Sequence, residues 1–303
     1  MVIFPVFMPS FTSIAKRVAP HIKLVEVGPR DGLQNERKIL SVQQRITLIH
    51  NLQSSGFNNI EVGSFVNPKA VPQMANTDLV LKGLQKNDYV QYSALVPNEK
   101  GYENIPENSD LDEVVFFIAA SETFNKKNIG CSIEESLKKY EALAHKAAID
   151  GRKIRLSISC CWGCPYEGTT NPQTILKIIK HLDVCGVHTF DLADTIGVAN
   201  SSGTARLIDW IKKDFPISRI ACHFHDSKGN AVSNIEAAIQ SGCTTFHSSI
   251  NGIGGCPFSP NRVGNVATEK VLDLLDNLNV TYDPIDRIKL SATSKWLQKQ
   301  LVD

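Results

Sequence analysis

The sequence predicts an α/β protein, a (β/α)8 TIM barrel with extra C-terminal helices. Eight strand-like apolar segments alternate with helix-like segments along the chain. Most of these strand-like segments are near-continuous apolar runs, which is typical of strands that are buried on both faces. The chain has 303 residues, a length that suits one barrel. A doubly wound open sheet with the same number of strands is the alternative.

The predicted elements follow one another with the spacing of βα units. The first strand ends at Gly28-Pro29, a pair that favours a turn. The strands are expected, in order, at 23–28, 59–65, 89–96, 113–120, 153–161, 188–193, 219–225 and 244–250. Helices are expected at 41–54, 133–149, 172–184, 202–214 and 231–240, with C-terminal helices at 269–278 and 285–301. Ser132 and Glu135 have the spacing of a capping box at the start of the second helix.

The chain shows no linker and no internal repeat, so we expect one barrel domain over residues 21–303 with its C-terminal helical extension. Residues 1–20 are expected to form an N-terminal arm. This arm contains no acid and two basic residues, which favours a transit peptide only weakly. We therefore expect a cytoplasmic protein, with the mitochondrial matrix as the alternative.

Charge and cysteine usage exclude several classes of protein. The formal net charge is +1, from 32 basic and 31 acidic residues, so we expect no nucleic-acid partner. Because no apolar run approaches 18 residues, we expect no membrane partner. The eight cysteines are spread along the chain, several of them in apolar runs, and are expected to be reduced. Cys161 and Cys164 have CxxC spacing but lack a second ligand pair, so a structural turn is favoured over a zinc or redox site.

Polar residues gather where the predicted strands end. Arg30 and Asp31 follow the first strand, Glu61 ends the second, and Asp194 follows the sixth. Catalytic groups of such barrels lie at the carboxyl ends of the strands. These side chains are therefore expected to converge on one mouth of the barrel.

His223 and His225 close the seventh strand with i, i+2 spacing, which places both imidazoles on one face. Together with Asp31, and with the amide oxygen of Asn265, they would form a mixed nitrogen and oxygen site. Such a site, without thiolate, suits Mg²⁺ or Mn²⁺ better than structural zinc.

Cys256 lies between two glycines and a proline, in the segment Gly254-Gly255-Cys256-Pro257. Glycine permits backbone motion, whereas proline restricts it. A cysteine in a polar loop of this kind is suited to act as a nucleophile or as a general acid or base.

With these residues identified, the sequence resembles the 3-hydroxy-3-methylglutaryl-CoA lyase family, which belongs to the metal-dependent lyase barrels that include isopropylmalate synthase. The matching motifs are VEVGPRDGLQNE, EVGSFVNPK, ALVPN, KKNIGCSIEES, SCCWGCPYEG, DTIGV, HFHD, GGCPF and GNVATE. The resemblance implies metal ligation by Asp31, His223, His225 and Asn265. It also implies catalytic roles for Arg30, Cys256, Glu61 and Asp194, with Asp31 or His223 as the base, and substrate contacts for Arg30, Gln34, Ser64 and Ser132.

The same resemblance implies cleavage of 3-hydroxy-3-methylglutaryl-CoA to acetyl-CoA and acetoacetate, as in leucine degradation and ketone-body formation. It implies a homodimer that needs Mg²⁺ or Mn²⁺ and takes coenzyme A as part of its substrate. The alternatives are a related lyase for a different 3-hydroxyacyl group, a condensing enzyme of the isopropylmalate synthase type, and a non-catalytic acyl-CoA-binding or metal-binding protein.

The chain departs from the family pattern at three places. His247 stands where an acid is expected before two serines, and Asp191 stands where a small polar residue is usual. The approach to Asn265, beginning at Asn261, is nearer to the synthase pattern. These departures leave the acyl group open.

Overall fold

The computed structural model describes residues 20–85, 87–254 and 264–302. Eight parallel strands pair in sequence order, and the first strand also pairs with the eighth, so that the sheet closes on itself. This closure confirms the (β/α)8 barrel and excludes the open sheet. The strands are β1 (His21–Glu26), β2 (Asn59–Ser64), β3 (Gln91–Leu95), β4 (Leu111–Ala119), β5 (Lys153–Ser159), β6 (Thr189–Asp194), β7 (Ile220–Phe224) and β8 (Thr245–Ser248).

Helices surround this barrel. They are α1 (Val42–Ser54), α2 (Thr77–Gly83), α3 (Glu99–Glu103), α4 (Glu122–Ile129), α5 (Ile133–Ile149), α6 (Pro172–Asp183), α7 (Ser201–Ile211), α8 (Ala231–Gln240), α9 (Thr268–Asn277) and α10 (Arg287–Leu301). The sequence did not predict α2, α3 and α4, because helices of two turns or fewer are too short to show a helical period. It also missed β9 (Thr281–Tyr282), a two-residue strand that pairs with the start of β1. The helix α9 follows β8 as the last helix of the barrel, and α10 lies beyond it.

The helix α6 illustrates how the sequence builds the outer layer. Asn171 caps its first turn by accepting a hydrogen bond from the backbone of Gln173, and Pro172 occupies the first helical position. Apolar residues recur along one face at helical spacing, namely Ile175, Leu176, Ile178, Ile179 and Leu182, and all are buried. This face therefore packs onto the barrel core. The capping box predicted for α5 is also present, between Ser132 and Glu135.

A wide helical turn, Gly28–Gly32, directly follows β1. The backbone N–H of Gly32 donates to the carbonyl of Val27, five residues earlier, at 3.1 Å. Such π-type turns are frequent at functional sites. Gly32 has no room for a side chain, because a Cβ there would lie 2.7 Å from the side chain of Ile253. The turn thus packs tightly against the segment after β8 while it presents Arg30 and Asp31.

Strand register places the other polar residues at the same rim. Ala193 of β6 pairs with His223 of β7, which in turn pairs with His247 of β8. The polar side chains of His223 and His247, on neighbouring strands, therefore lie at one level of the barrel. In the described part of the chain, no helix is long and apolar enough to cross a membrane.

Candidate active site

The carboxylate of Asp31 and the imidazoles of His223 and His225 meet at the carboxyl rim of the barrel. The Nε2 atoms of the two histidines are 3.3 Å apart. Oδ2 of Asp31 is 3.8 Å from Nε2 of His223 and 3.7 Å from Nε2 of His225. The expected convergence of the first and seventh strands is therefore found.

Hydrogen bonds orient two members of this cluster. Nδ1 of His225 lies 2.9 Å from the carbonyl oxygen of Thr195, so the hydrogen of a neutral ring is on Nδ1 and Nε2 carries a lone pair. Asn265 donates its amide nitrogen to Oδ2 of Asp31 at 2.9 Å and to the carbonyl of Ile253 at 3.1 Å. Both of these bonds use the nitrogen of Asn265, which leaves its amide oxygen available as a ligand.

The donor set fits a divalent cation. An octahedral ion such as Mg²⁺, with bonds of roughly 2.1 Å, places neighbouring ligand atoms about 3 Å apart. The ligand atoms of Asp31, His223 and His225 all lie within 4.8 Å of one another, so small side-chain shifts bring them to that spacing. Two imidazole nitrogens and two oxygens, without thiolate, match the chemistry of Mg²⁺ or Mn²⁺.

Arg30 is held by two carboxylates beside this cluster. Its Nε donates to Oε1 of Glu61, and its Nη1 lies 2.5 Å from Oδ1 of Asp31. Among the described residues no hydrogen bond engages Nη2, and Arg30 lines the cavity above the site. The guanidinium is therefore fixed on one edge and keeps a donor for a ligand.

Electrostatics set the charge of each group in the cluster. Burial opposes the charge of Asp31, but Arg30 and the two imidazoles outweigh it, so the pKa of Asp31 lies well below its usual range. Burial lowers the pKa of His223 to about 4, so this imidazole is neutral at pH 7. The pKa of His225 is raised, because the Asp31 carboxylate outweighs burial. A cation that binds here displaces a proton from His225 whenever that ring is charged.

A cavity of about 500 Å³ opens above these groups. Of the residues expected at the site, its lining includes Arg30, Asp31, Gln34, His223 and His225. Among the described residues, Ser64 and Ser132 do not line this cavity. Ser64 is buried at the end of β2, and Ser132 caps α5. Their contact with substrate stays a prediction.

Two of the expected acids, Glu61 and Asp194, lie behind the residues that line the cavity. Glu61 is fully buried between Arg30 and Arg155. Asp194 accepts hydrogen bonds from the backbones of Val198 and Ala199 at 2.9 and 3.0 Å. Asp194 thereby holds the loop after β6, whose Thr195 orients His225. Both acids are placed to position other residues of the site.

Three cysteines were singled out from the sequence. Cys161 and Cys164 are buried free thiols; the Sγ of Cys161 lies 3.0 Å from the carbonyl of Ile158 and that of Cys164 lies 3.0 Å from Oγ of Ser121. These contacts agree with a structural turn after β5. Cys256, the expected catalytic cysteine, lies outside the described residues.

Three buried polar residues near the site were not assigned a role from sequence. Arg155 of β5 donates to Glu61 at 2.8 Å and to Glu113 at 2.9 Å. Asp191 and His247, which were noted only as departures from a pattern, also lie inside the barrel. A charged residue inside an apolar strand, as Arg155 is, indicates a buried polar partner, because an unpaired buried charge is costly.

Glu26 joins the segments that carry the site. Its Oε1 accepts from the backbones of Gly28 at 2.8 Å and Ile250 at 2.9 Å, and its Oε2 contacts Oγ of Thr268 at 2.7 Å. Glu26 is 0% exposed, and burial raises its pKa to about 8 in spite of these hydrogen bonds. The carboxyl therefore links the turn after β1 to the segments that precede and follow Gly254-Gly255-Cys256-Pro257 in the sequence.

We predict that Glu26→Gln removes a pH-dependent loss of stability. The folded protein binds the Glu26 proton more tightly than the unfolded chain does, so the free energy of unfolding falls as pH rises from about 4.5 to about 8. Each unit of pKa shift corresponds to about 1.4 kcal/mol. Glutamine keeps all three contacts, because its oxygen accepts from both backbones and its nitrogen donates to Thr268. Urea unfolding at pH 5 and pH 8.5 measures the difference, and an unchanged pH slope in the variant would contradict the prediction.

The fold and the site define a class, namely (β/α)8 barrels whose carboxyl rim carries one carboxylate and two histidines beside an arginine. A model of the HMGL-like family matches residues 21–296. The chain belongs to this family, as the sequence motifs led us to expect.

Similar proteins are hydroxymethylglutaryl-CoA lyases. The enzyme of that name from Pseudomonas mevalonii is 45% identical over 85% of this chain and 85% of its own length. A 3-hydroxy-3-isohexenylglutaryl-CoA/hydroxymethylglutaryl-CoA lyase of Pseudomonas aeruginosa is 44% identical over 86% of each chain. The mitochondrial hydroxymethylglutaryl-CoA lyase of Homo sapiens is 41% identical over 89% of this chain and 82% of its own. The crystal structure of hydroxymethylglutaryl-CoA lyase from Pseudomonas aeruginosa superposes with a TM-score of 0.90, at 40% identity, over 94% of this chain and 95% of that one.

Proposed function

We propose that the protein cleaves 3-hydroxy-3-methylglutaryl-CoA to acetyl-CoA and acetoacetate with the help of Mg²⁺ or Mn²⁺. The observation that carries this proposal is the cluster of Asp31, His223 and His225 beside Arg30, at the base of a cavity of about 500 Å³. Asn265 completes the proposed ligand set. The identity of 40–45% to lyases of this name supports the choice of reaction.

The reaction breaks a carbon–carbon bond next to a tertiary alcohol. Asp31, His223, His225 and Asn265 would hold the divalent cation, which would act as a Lewis acid and lower the pKa of that alcohol. Of the two candidate bases, Asp31 accepts the alcohol proton, because His223 would have its one free lone pair on the cation. The electron pair of that O–H bond forms the carbonyl of acetoacetate as the carbon–carbon bond breaks. The bond's electrons pass to the thioester as an enolate. Arg30, which lines the cavity, stabilises the enolate oxygen.

The enolate carbon must then receive a proton to become acetyl-CoA. We assign this step to Cys256. Gly254, two positions before it in the sequence, packs against the Asp31 backbone and Asn265. Glu61 fixes Arg30 from behind, and Asp194 fixes the loop that orients His225. Gln34 at the cavity wall, with Ser64 and Ser132, is assigned to substrate binding.

A related lyase for another 3-hydroxyacyl group is the second candidate. The Pseudomonas aeruginosa relative bears a name with two substrates, one of them carrying an isohexenyl chain. Asp191 and His247, at which the chain departs from the family pattern, are both buried inside the barrel. A condensing enzyme of the isopropylmalate synthase type is the third candidate.

Acetoacetate release from 3-hydroxy-3-methylglutaryl-CoA by purified protein with Mg²⁺ tests the proposal. Omission of the metal and addition of a chelator are the controls. Turnover only of a longer 3-hydroxyacyl thioester would favour the second candidate, and consumption of acetyl-CoA with a 2-oxo acid would favour the condensing enzyme. A protein that turns over none of these substrates contradicts a catalytic role.

We predict that His225→Ala loses metal affinity by at least about tenfold, because it removes one of three clustered ligands. Isothermal titration with Mn²⁺ measures this loss without substrate. His21→Ala is the matched control. His21 lies at the start of β1, and its Nε2 contacts Asp283. Full Mn²⁺ affinity in His225→Ala would place the ion elsewhere.

We further propose a homodimer in the cytoplasm, with the mitochondrial matrix as the alternative because the human relative is a mitochondrial protein. Leucine degradation and ketone-body formation are the proposed pathways, since both use this cleavage. Light scattering of the purified protein tests the dimer.

A further inference from the structure

Beneath the proposed cation site lies a second polar group that the mechanism above does not use. It consists of Asp191 on β6, His247 on β8 and Arg155 on β5, each at most 3% exposed. Nδ1 of His247 lies 3.3 Å from Oδ2 of Asp191 and 3.4 Å from Nδ1 of His223. The ligand atoms of Asp191, His223 and His247 lie within 4.8 Å of one another. A second cation is disfavoured there, because Nη1 of the Arg155 guanidinium is 3.0 Å from Nε2 of His247.

The hydrogens of the three histidines can be assigned from their neighbours. Arg155 donates to Nε2 of His247, so a neutral His247 carries its hydrogen on Nδ1. At the other end, His225 donates Nδ1–H to the carbonyl of Thr195. Between them, His223 can accept from His247 at Nδ1 and donate from Nε2 to His225, at 3.4 and 3.3 Å. The chain of contacts from Arg155 through His247, His223 and His225 to Thr195 then has one donor and one acceptor at each step.

That arrangement is incompatible with metal ligation by His223. A cation needs the lone pair of Nε2, which moves the hydrogen of His223 to Nδ1. The Nδ1–H group of His223 then faces the Nδ1–H group of His247 and needs another acceptor.

Asp191 can supply this acceptor. Its Oδ2 contacts Oγ of Ser157 at 3.0 Å and Nδ1 of His247 at 3.3 Å. Its Oδ1 is buried and has no hydrogen-bond partner among the described residues. A buried carboxylate oxygen without a partner is rare. Here the Asp191 carboxylate lies within 4.8 Å of His223, the one ring that lacks an acceptor in its metal-binding form.

We propose that Asp191 is a positioning residue for the cation site, which accepts the Nδ1 hydrogens of His247 and His223 and so leaves Nε2 of His223 free for a divalent cation. This inference rests on the proposed function, because it presumes the cation. A carboxylate that accepts the second ring hydrogen of a ligating histidine fixes its tautomer and raises its basicity. The strands β6 and β8 both flank β7. Position 247 on β8 pairs with His223, and the Asp191 side chain on β6 reaches to within 4.8 Å of His223. In this chain the acid expected on β8 is replaced by His247, and β6 carries Asp191 instead.

Mn²⁺ titration of Asp191→Asn tests the proposal. An amide keeps the size of the side chain but accepts only through one atom, so the Kd for Mn²⁺ is expected to rise by about 10–100-fold. Asp112→Asn is the matched control. Asp112 lies at the start of β4, away from the site, and accepts a hydrogen bond from the backbone of Tyr92. An unchanged Kd in Asp191→Asn overturns the role of Asp191 alone. A wild-type protein that binds no Mn²⁺ overturns the proposed function together with it.

A paired exchange distinguishes positioning from a general contribution to folding. Asp191→Ser is expected to weaken Mn²⁺ binding, and the double variant Asp191→Ser/His247→Asp is expected to restore it to within a few fold, because the carboxylate moves to the other strand beside His223. A double variant that binds as weakly as the single one contradicts the proposal. Nitrogen NMR of the wild-type histidines requires no substitution: Mg²⁺ is expected to move the His223 hydrogen from Nε2 to Nδ1, and a hydrogen on Nδ1 in both states contradicts the assignment.

Discussion

Arg30→Gln is expected to lower kcat by more than 10²–10³-fold, roughly the cost of losing a neutral oxyanion donor, while KM stays close to that of the wild type. The guanidinium is held by Glu61 and Asp31 and lines the cavity, where we propose that charge develops on the enolate oxygen. A donor that acts only on developing charge contributes to the transition state and little to substrate binding. The fold should survive the change, because Glu61 keeps its ion pair with Arg155 at 2.8 Å.

Steady-state kinetics of the lyase reaction and Mn²⁺ titration check this prediction together. Without the Arg30 charge, the Asp31 carboxylate is no longer neutralised by a neighbouring cation, so its attraction for Mn²⁺ increases. Mn²⁺ affinity should therefore not fall. Arg152→Gln is the matched control and should have normal kcat, because Arg152 lies just before β5 and its guanidinium donates to the carbonyl of Leu111. A variant of Arg30 that raises KM and keeps kcat would show that this residue binds the ground state of the substrate.

Much of the fold followed from the sequence because a closed parallel barrel imposes a pattern that can be recognised locally. Strands that are buried on both faces need continuous apolar runs, and a turn must end each run. The polar residues at those turns then had to share one rim, which is where Asp31, His223 and His225 meet. The spacing of His223 and His225 also predicted their common face, and their Nε2 atoms lie 3.3 Å apart.

The buried polar group inside the barrel did not follow from the sequence in the same way. Glu61 and Arg155 are 94 positions apart, and their ion pair depends on which strands face each other across the barrel interior. Strand periodicity indicates that Arg155 points to one face of the sheet but does not indicate its partner. Likewise, Asp191 and His247 stood out only as separate departures. In the structure His247 pairs with His223, and the ligand atoms of Asp191, His223 and His247 lie within 4.8 Å of one another.

Cys256→Ser is expected to keep substrate and metal binding but to lose most turnover, on the order of 10²–10⁴-fold. The final step delivers a proton to carbon, and a serine hydroxyl is a far weaker acid than a thiol, whose pKa is about 8.5. No acyl-enzyme is needed to break this bond, so the thiol acts as an acid and not as a nucleophile. Single-turnover kinetics with Mg²⁺ and direct titration of the substrate separate the two effects. Cys185→Ser, a half-buried cysteine after α6, is the matched control.

The backbone next to Cys256 sharpens the same prediction. Gly254 has a φ of +110°, and a Cβ there would lie 2.7 Å from Nδ2 of Asn265 and 3.1 Å from the carbonyl oxygen of Asp31. Gly254, two positions before Cys256 in the sequence, therefore lies beside two proposed metal ligands. Gly255→Val, with Cys256 intact, should slow turnover because the added side chain restricts the backbone that brings the thiol to the substrate. A cysteine that only shields the site predicts near-normal activity for Cys256→Ser, and a thioester trapped on Cys256 during turnover would show that it is a nucleophile.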